Sequence, residues 1–141
     1  MHNGCDKCRP PNGKEANWEH LEQIVSRKGI IFEDIIYICL ECQGNWFYQR
    51  WEEERYDGSE WGDIYEQLFT ISEKETLQLE KKYFELDEDL IAKKKKTEEE
   101  MGGDLGKQWA EGLQGKPVPH AMFRSGRQVY NIKELKWEEG S

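Results

Sequence analysis

In its first half this chain alternates short apolar runs of strand length with turn signals, and further on it carries one long stretch in which apolar residues recur every three or four positions. From Asn17, a residue suited to cap a helix, Trp18, Leu21, Ile24 and Val25 recur at helical spacing up to Gly29. This predicts a short amphipathic helix over residues 18–25. The Ile-rich run of residues 30–39, IIFEDIIYIC, reads as a strand, and QGNWFYQRW after it reads as the returning strand of a hairpin. Alternation along the second strand puts Trp46 and Tyr48 on one face and Phe47 and Trp51 on the other, so both faces carry large rings. Asp57-Gly58 is a turn signal, and a strand at 61–69 is expected to pair back onto 46–51.

Ser72 with Glu75 makes a capping box that starts a long helix. Leu79, Tyr83, Leu86 and Leu90 form its stripe, with Phe84 and Ile91 widening it. Beyond the stripe, Lys94, Lys95 and Lys96 each precede a glutamate by four residues, an arrangement that prolongs a solvated helix until Gly102-Gly103. From Asp104 the chain reads as irregular, with one or two helical turns around Leu105, Trp109 and Leu113, and a last strand at 128–132, QVYNI. These elements predict an α+β fold, a small antiparallel sheet packed by one short and one long helix. Residues 1–92 are its core, and residues 93–141 complete the same domain by wrapping over it or extending its edge.

Composition narrows the options. The chain has 141 residues, of which 35% are charged and 36% hydrophobic, so its core is modest and leans on six Trp, six Tyr and five Phe. No apolar run approaches the roughly 18–20 residues that cross a bilayer, and the amino terminus lacks a signal-peptide pattern, so a soluble cytoplasmic protein is expected. The net charge of −9 is concentrated: residues 52–92 hold fourteen acids against four bases. That balance disfavours binding to a phosphate backbone, which needs clustered Lys and Arg.

All four cysteines fall into two matched pairs, Cys5-x-x-Cys8 and Cys39-x-x-Cys42. Thiolates at this spacing point at one tetrahedral ion, and two such knuckles complete a four-sulfur shell with no position left for water. The expected cofactor is therefore one structural Zn²⁺ held by Cys5, Cys8, Cys39 and Cys42. Two redox pairs are the competing reading, although thioredoxin-like chemistry uses one pair opening a helix. The second pair lies on the turn of the predicted hairpin, which is the geometry of a zinc ribbon. Gly44 suits the tight bend after the second knuckle, where backbone N–H groups approach sulfur. The thirty residues between Cys8 and Cys39 exceed the usual roughly 15–20, and the predicted 18–25 helix accounts for the excess.

The stretch YICLECQGNWFYQRWEEE resembles small bacterial and phage zinc-ribbon proteins, some of them similar to immunity proteins that neutralise a toxin. The likeness covers residues 35–75. It departs at Gln43, where many ribbons place glycine directly after the second cysteine.

No phosphate-binding glycine loop, His-Glu-x-x-His helix or nucleophile elbow is present, and a four-sulfur zinc is coordinatively full, so no enzyme is expected. The expected role is a non-enzymatic protein-interaction module, of inhibitor or immunity type, with Glu52, Glu53, Glu54, Asp57, Glu60, Asp63, Trp51 and Trp61 forming an acidic and aromatic face. Its partner would be a basic protein such as a toxin, a nuclease or another nucleic-acid enzyme. A zinc-ribbon nucleic-acid adaptor using Lys93 to Lys96, Arg124 and Arg127 is the alternative.

Overall fold

Both aromatic strands bury their rings because the sheet they belong to is covered on its two faces by different parts of the chain. The computed structural model describes residues 4–28, 32–53, 63–84, 88–112 and 118–140. Among them, β1 (Leu21–Lys28), β2 (Phe32–Cys39), β3 (Asn45–Glu53), β4 (Asp63–Ile71), β5 (Gln128–Asn131) and β6 (Lys136–Glu139) form one antiparallel sheet in chain order. With α1 (Glu73–Leu79), α2 (Glu88–Met101) and α3 (Gly103–Gly112) they make an α+β fold.

The 18–25 segment corrects the sequence reading. Only Trp18–His20 turns, as a single 3-10 turn, and Leu21 opens β1. The helical spacing is produced by a β-bulge. Gln23 pairs with Tyr37 and Val25 with Ile36, so Ile24 is the extra residue and the side-chain phase flips there. Leu21 then joins the core of one face and Val25 that of the other, and their four-residue separation imitates a helical stripe. The excess length between the cysteine pairs is thus a turn and an edge strand.

On the first face Ile35, Cys39, Trp46, Tyr48, Leu68 and Tyr130 form a buried cluster beneath the amino-terminal segment. That segment spans the sheet. Gly13 N–H donates to the Leu135 carbonyl at 2.6 Å, Trp137 Nε1 donates to the Pro10 carbonyl at 2.7 Å, and Arg9 lies 3.9 Å over the Trp137 ring.

On the second face Ile36, Phe47, Phe69, Ile71 and Val129 pack with Leu79 of α1 and with Val118. The capping box forms as expected, Ser72 accepting from Glu75 N–H at 3.1 Å and the Glu75 carboxylate accepting from Ser72 N–H at 2.9 Å. The single long helix does not. After α1 the chain widens into a π turn at Glu80–Phe84, which seats Tyr83 and Phe84 beside the second cluster and gives the Tyr83 carbonyl to the Arg27 guanidinium.

α2 ends at Met101, where the sequence placed the stop at Gly102-Gly103, and these glycines, at φ 65 and 57, turn the chain back. The following stretch is not irregular: α3 folds back on α2. Gly106 fits against it because a β-carbon there would lie 2.8 Å from the Glu98 carbonyl oxygen. β5 lies where QVYNI predicted a strand. β6 has no comparable apolar signal, since KWEE offers only Trp137 to the core.

Candidate metal centre

The two Cys-x-x-Cys turns meet at one end of the sheet. β2 delivers Cys39 at its last position, and the hairpin closes when Cys39 N–H donates to the Gly44 carbonyl at 2.9 Å. Gln43 makes that turn at φ 59, the left-handed conformation that glycine adopts without strain. Gly44 contributes its N–H to the Cys42 sulfur. The first knuckle is set by Gly4 at φ 85, where a β-carbon would strike the Trp46 ring at 2.6 Å.

All four sulfurs lie within 4.8 Å of one another. Cys5–Cys8, Cys5–Cys39 and Cys8–Cys42 are each separated by 3.7 Å, Sγ to Sγ. A tetrahedron with metal–sulfur bonds of about 2.3 Å has edges of about 3.8 Å, whereas a disulfide needs about 2.05 Å. The spacing therefore fits four ligands around one ion. Cys8 and Cys39 are buried and Cys5 and Cys42 half-buried, so the cluster is closed on the core side.

Backbone N–H groups surround the sulfurs in the way thiolates require. Cys5 N–H donates to Cys8 Sγ at 3.1 Å, and Glu41 and Cys42 N–H donate to Cys39 Sγ at 3.4 and 3.5 Å. The Cys8 and Lys7 N–H groups draw the Cys5 thiol down to about 7. Burial pushes Cys8 up to about 12 despite the Cys5 N–H and the Trp46 indole beside it. The Trp46 Nε1 is buried and meets no acceptor at ordinary hydrogen-bond geometry. A cation held at the centre would supply the positive charge that a buried Cys8 thiolate needs. Comparison with protein-family models, with curated proteins and with solved structures returned no match, so the centre is read from its own geometry.

Of the docking residues singled out by sequence, Trp51, Glu52, Glu53 and Asp63 lie at the far end of the β3–β4 pair, about 26 Å away for a nine-residue strand at roughly 3.3 Å per residue. Glu53 faces Asp63, Glu52 faces Ile64 and Trp51 faces Tyr65 across the β3–β4 pair. Glu53 accepts from the Trp51 indole at 3.1 Å, and Glu52 pairs with Arg50 at 3.4 Å. Glu54, Asp57, Glu60 and Trp61 lie outside the described residues. Of the basic residues in the nucleic-acid alternative, Arg127 is engaged internally by Glu75 and by the Thr70 carbonyl at 3.1 Å.

Sequence reasoning missed a row of polar residues beside this end. Arg27, Asp34, Gln49, Gln67 and Asn131 stand in register across five strands on the second face. Asp34 accepts from Val118 N–H at 3.1 Å and from Gln49 at 3.3 Å. Gln49 also donates to the Val118 carbonyl at 3.0 Å, and Gln67 donates to Gln49 at 2.7 Å and to the His120 carbonyl at 3.0 Å. The row pins the 118–120 loop, which stacks the His120 ring on Trp51 with centroids 4.7 Å apart; Tyr65 stacks on the same indole at 5.5 Å. The available signal was one inward-facing polar residue in each of three otherwise apolar strands.

Proposed function

We propose that this chain is a non-enzymatic, zinc-stapled interaction module that docks the acidic and aromatic end of its β3–β4 hairpin on a basic partner protein. Zn²⁺ is the ion that best suits four thiolates at tetrahedral spacing, and Cys5, Cys8, Cys39 and Cys42 would hold it. Bound there it would supply a rigid cross-link between the amino terminus and the hairpin. With four sulfur ligands it would have no open position for substrate.

The observation that carries the reading is the layout of β3, with the sulfur cluster at one end and Glu52, Glu53 and Asp63 at the other. Carboxylates gathered at one strand end complement a cationic partner surface and steer its approach. Rigidity from the metal end lowers the ordering penalty of binding at the acidic end. Basic proteins of the toxin or nuclease kind are partners of matching chemistry.

The double substitution Glu52→Lys and Glu53→Lys tests this. Both residues lie at a strand end and neither is buried, so folding and metal content should be retained. Co-purification of the partner, identified beforehand by cross-linking in the native cell, should be lost. Retention of the partner by the double variant would contradict the docking face, and recovery of nucleic acid in its place would favour the adaptor alternative.

A further inference from the structure

Helices α2 and α3 pack chiefly on each other, and among the described residues neither adds a side chain to the two clusters that form the core. α3 turns its small residues to its neighbour. Gly106 lies against the Glu98 carbonyl, and Ala110, one helical turn on, is buried. Leu105 and Trp109 are likewise four residues apart, about a quarter turn round the helix from that side, and each is more than half exposed. The large apolar side chains of α3 are thus left uncovered on one face of the hairpin.

α2 sets charges beside that face. Its half-buried positions Lys94 and Thr97 mark the side toward α3, and Lys93, Lys96 and Glu100 follow at helical spacing on the side of the hairpin that carries Leu105 and Trp109. The charges come in blocks, lysines at 93–96 and glutamates at 98–100. Of the lysine–glutamate pairs four residues apart, only Lys96–Glu100 closes within the helix among the described residues, at 3.8 Å and at the surface. One two-fold axis satisfies both the apolar and the charged features. Because α3 runs back along α2 with Gly106 beside Glu98, Lys107 lies level with Thr97. An axis at that level, perpendicular to the helices, sets Leu105 of one copy against Trp109 of another, and the lysine block of one against the glutamate block of the other.

We propose that this face of the α2–α3 hairpin is the contact between two copies of the chain, packed as an antiparallel four-helix arrangement. The contact is self-complementary, so each pairing occurs twice. A partner of uniform charge would leave one of the two blocks facing its own sign, whereas a second copy matches both. The face is about 15 Å long, from the ten residues of α3, and about two helix diameters, roughly 20 Å, wide. That is small beside the roughly 800 Å² per partner of a stable interface. The dimer is therefore weak and reversible, with Kd between about 10 and 500 μM. The inference rests neither on the docking face of β3–β4 nor on the metal centre.

Sedimentation equilibrium of the full chain, from about 5 μM to about 1 mM, tests it and should report a monomer–dimer equilibrium with Kd in that range. Leu105→Gln combined with Trp109→Gln should weaken association by about tenfold or more. Both positions are exposed, so the melting temperature of the dilute protein should stay unchanged. Lys93→Glu combined with Lys96→Glu, and separately Glu100→Lys, should each weaken self-association several-fold by setting like charges together. An equimolar mixture of these two charge variants should associate more tightly than either alone, because each then meets the opposite sign. A monomer at every concentration would overturn the proposal, as would a dimer whose Kd is unmoved by the Leu105 and Trp109 substitutions. A mixture no tighter than its components would overturn the antiparallel pairing, and the proposal with it.

Discussion

Gln43 holds a backbone conformation better suited to glycine. At φ 59 its β-carbon crowds the following carbonyl, a strain of roughly 1–2 kcal/mol that glycine avoids. Glycine loses part of that gain through its larger unfolded-state entropy. Gln43→Gly is therefore expected to raise stability by up to about 1 kcal/mol, read from the denaturant midpoint at constant slope. An unchanged or lower midpoint would mean that the Gln43 side chain compensates for its backbone. The departure from the usual ribbon pattern was visible in the sequence; that Gln43, and not Gly44, carries the left-handed turn was not, because either could close it.

Single positions decide other features in the same way. Asp34 is buried on the second face, and burial pushes its carboxyl above the ordinary value while the Val118 N–H, Gln49 and Arg27 pull it back. Its two oxygens accept from two donors, so Asp34→Asn would turn one NH₂ toward a donor and leave a buried mismatch. The expected loss is about 1–3 kcal/mol of stability. Its signature should be faster amide hydrogen exchange at Val118 and at neighbouring residues of the 118–123 loop. A loss of stability with exchange unchanged in that loop would show that the polar row does not pin it.

Among elements, α1 was the most legible. Ser72 and Glu75 announce its start, and the structure adds a second use of Glu75, its pairing with Arg127 from the segment leading into β5. Burial pushes the Glu75 carboxyl up, but hydrogen bonds from Arg127 and Ser72 outweigh it, and the group sits below its ordinary value. A depressed carboxylate stabilises the fold above its unfolded pKa, and that stability is lost as pH falls through the folded pKa. Glu75→Gln should cost about 1–3 kcal/mol at neutral pH. The gap from the native chain should close as pH drops below about 4. Urea titrations at several pH values read this, and a gap independent of pH would remove the ion pair from the account.

Periodicity read β2, β3, β4 and β5 because their apolar residues sit where alternation requires. It misread β1, since a bulge at Ile24 turns a period of two into an apparent spacing of four. The helix predicted to run from residue 72 to 101 is interrupted because tertiary contacts at Tyr83 and Phe84 overrule a favourable local pattern. Helix α3 was obscured by its glycines. Gly106 weakens helix propensity, yet it is what allows α3 to approach Glu98 of α2.

At the scale of the molecule, the amino-terminal segment ties the first and last parts of the sheet together. Cys5 and Cys8 join the β2–β3 turn, while Asn12, Gly13 and Lys14 bond to Trp137, Leu135 and Tyr130 of the β5–β6 hairpin. The cysteine spacing made the first half of this arrangement legible. The second half rests on backbone groups, the Asn12 amide oxygen, the Tyr130 hydroxyl and one indole, which together carry no sequence pattern. No described helix is long and apolar enough to cross a membrane. The central claim is that a metal ion, through four sulfurs, fastens this segment over the sheet. Zinc-edge X-ray absorption on protein purified under reducing conditions tests it most directly. The account predicts one zinc per chain with four sulfur neighbours at about 2.3 Å. Absence of zinc, or a first shell containing nitrogen or oxygen, would contradict it.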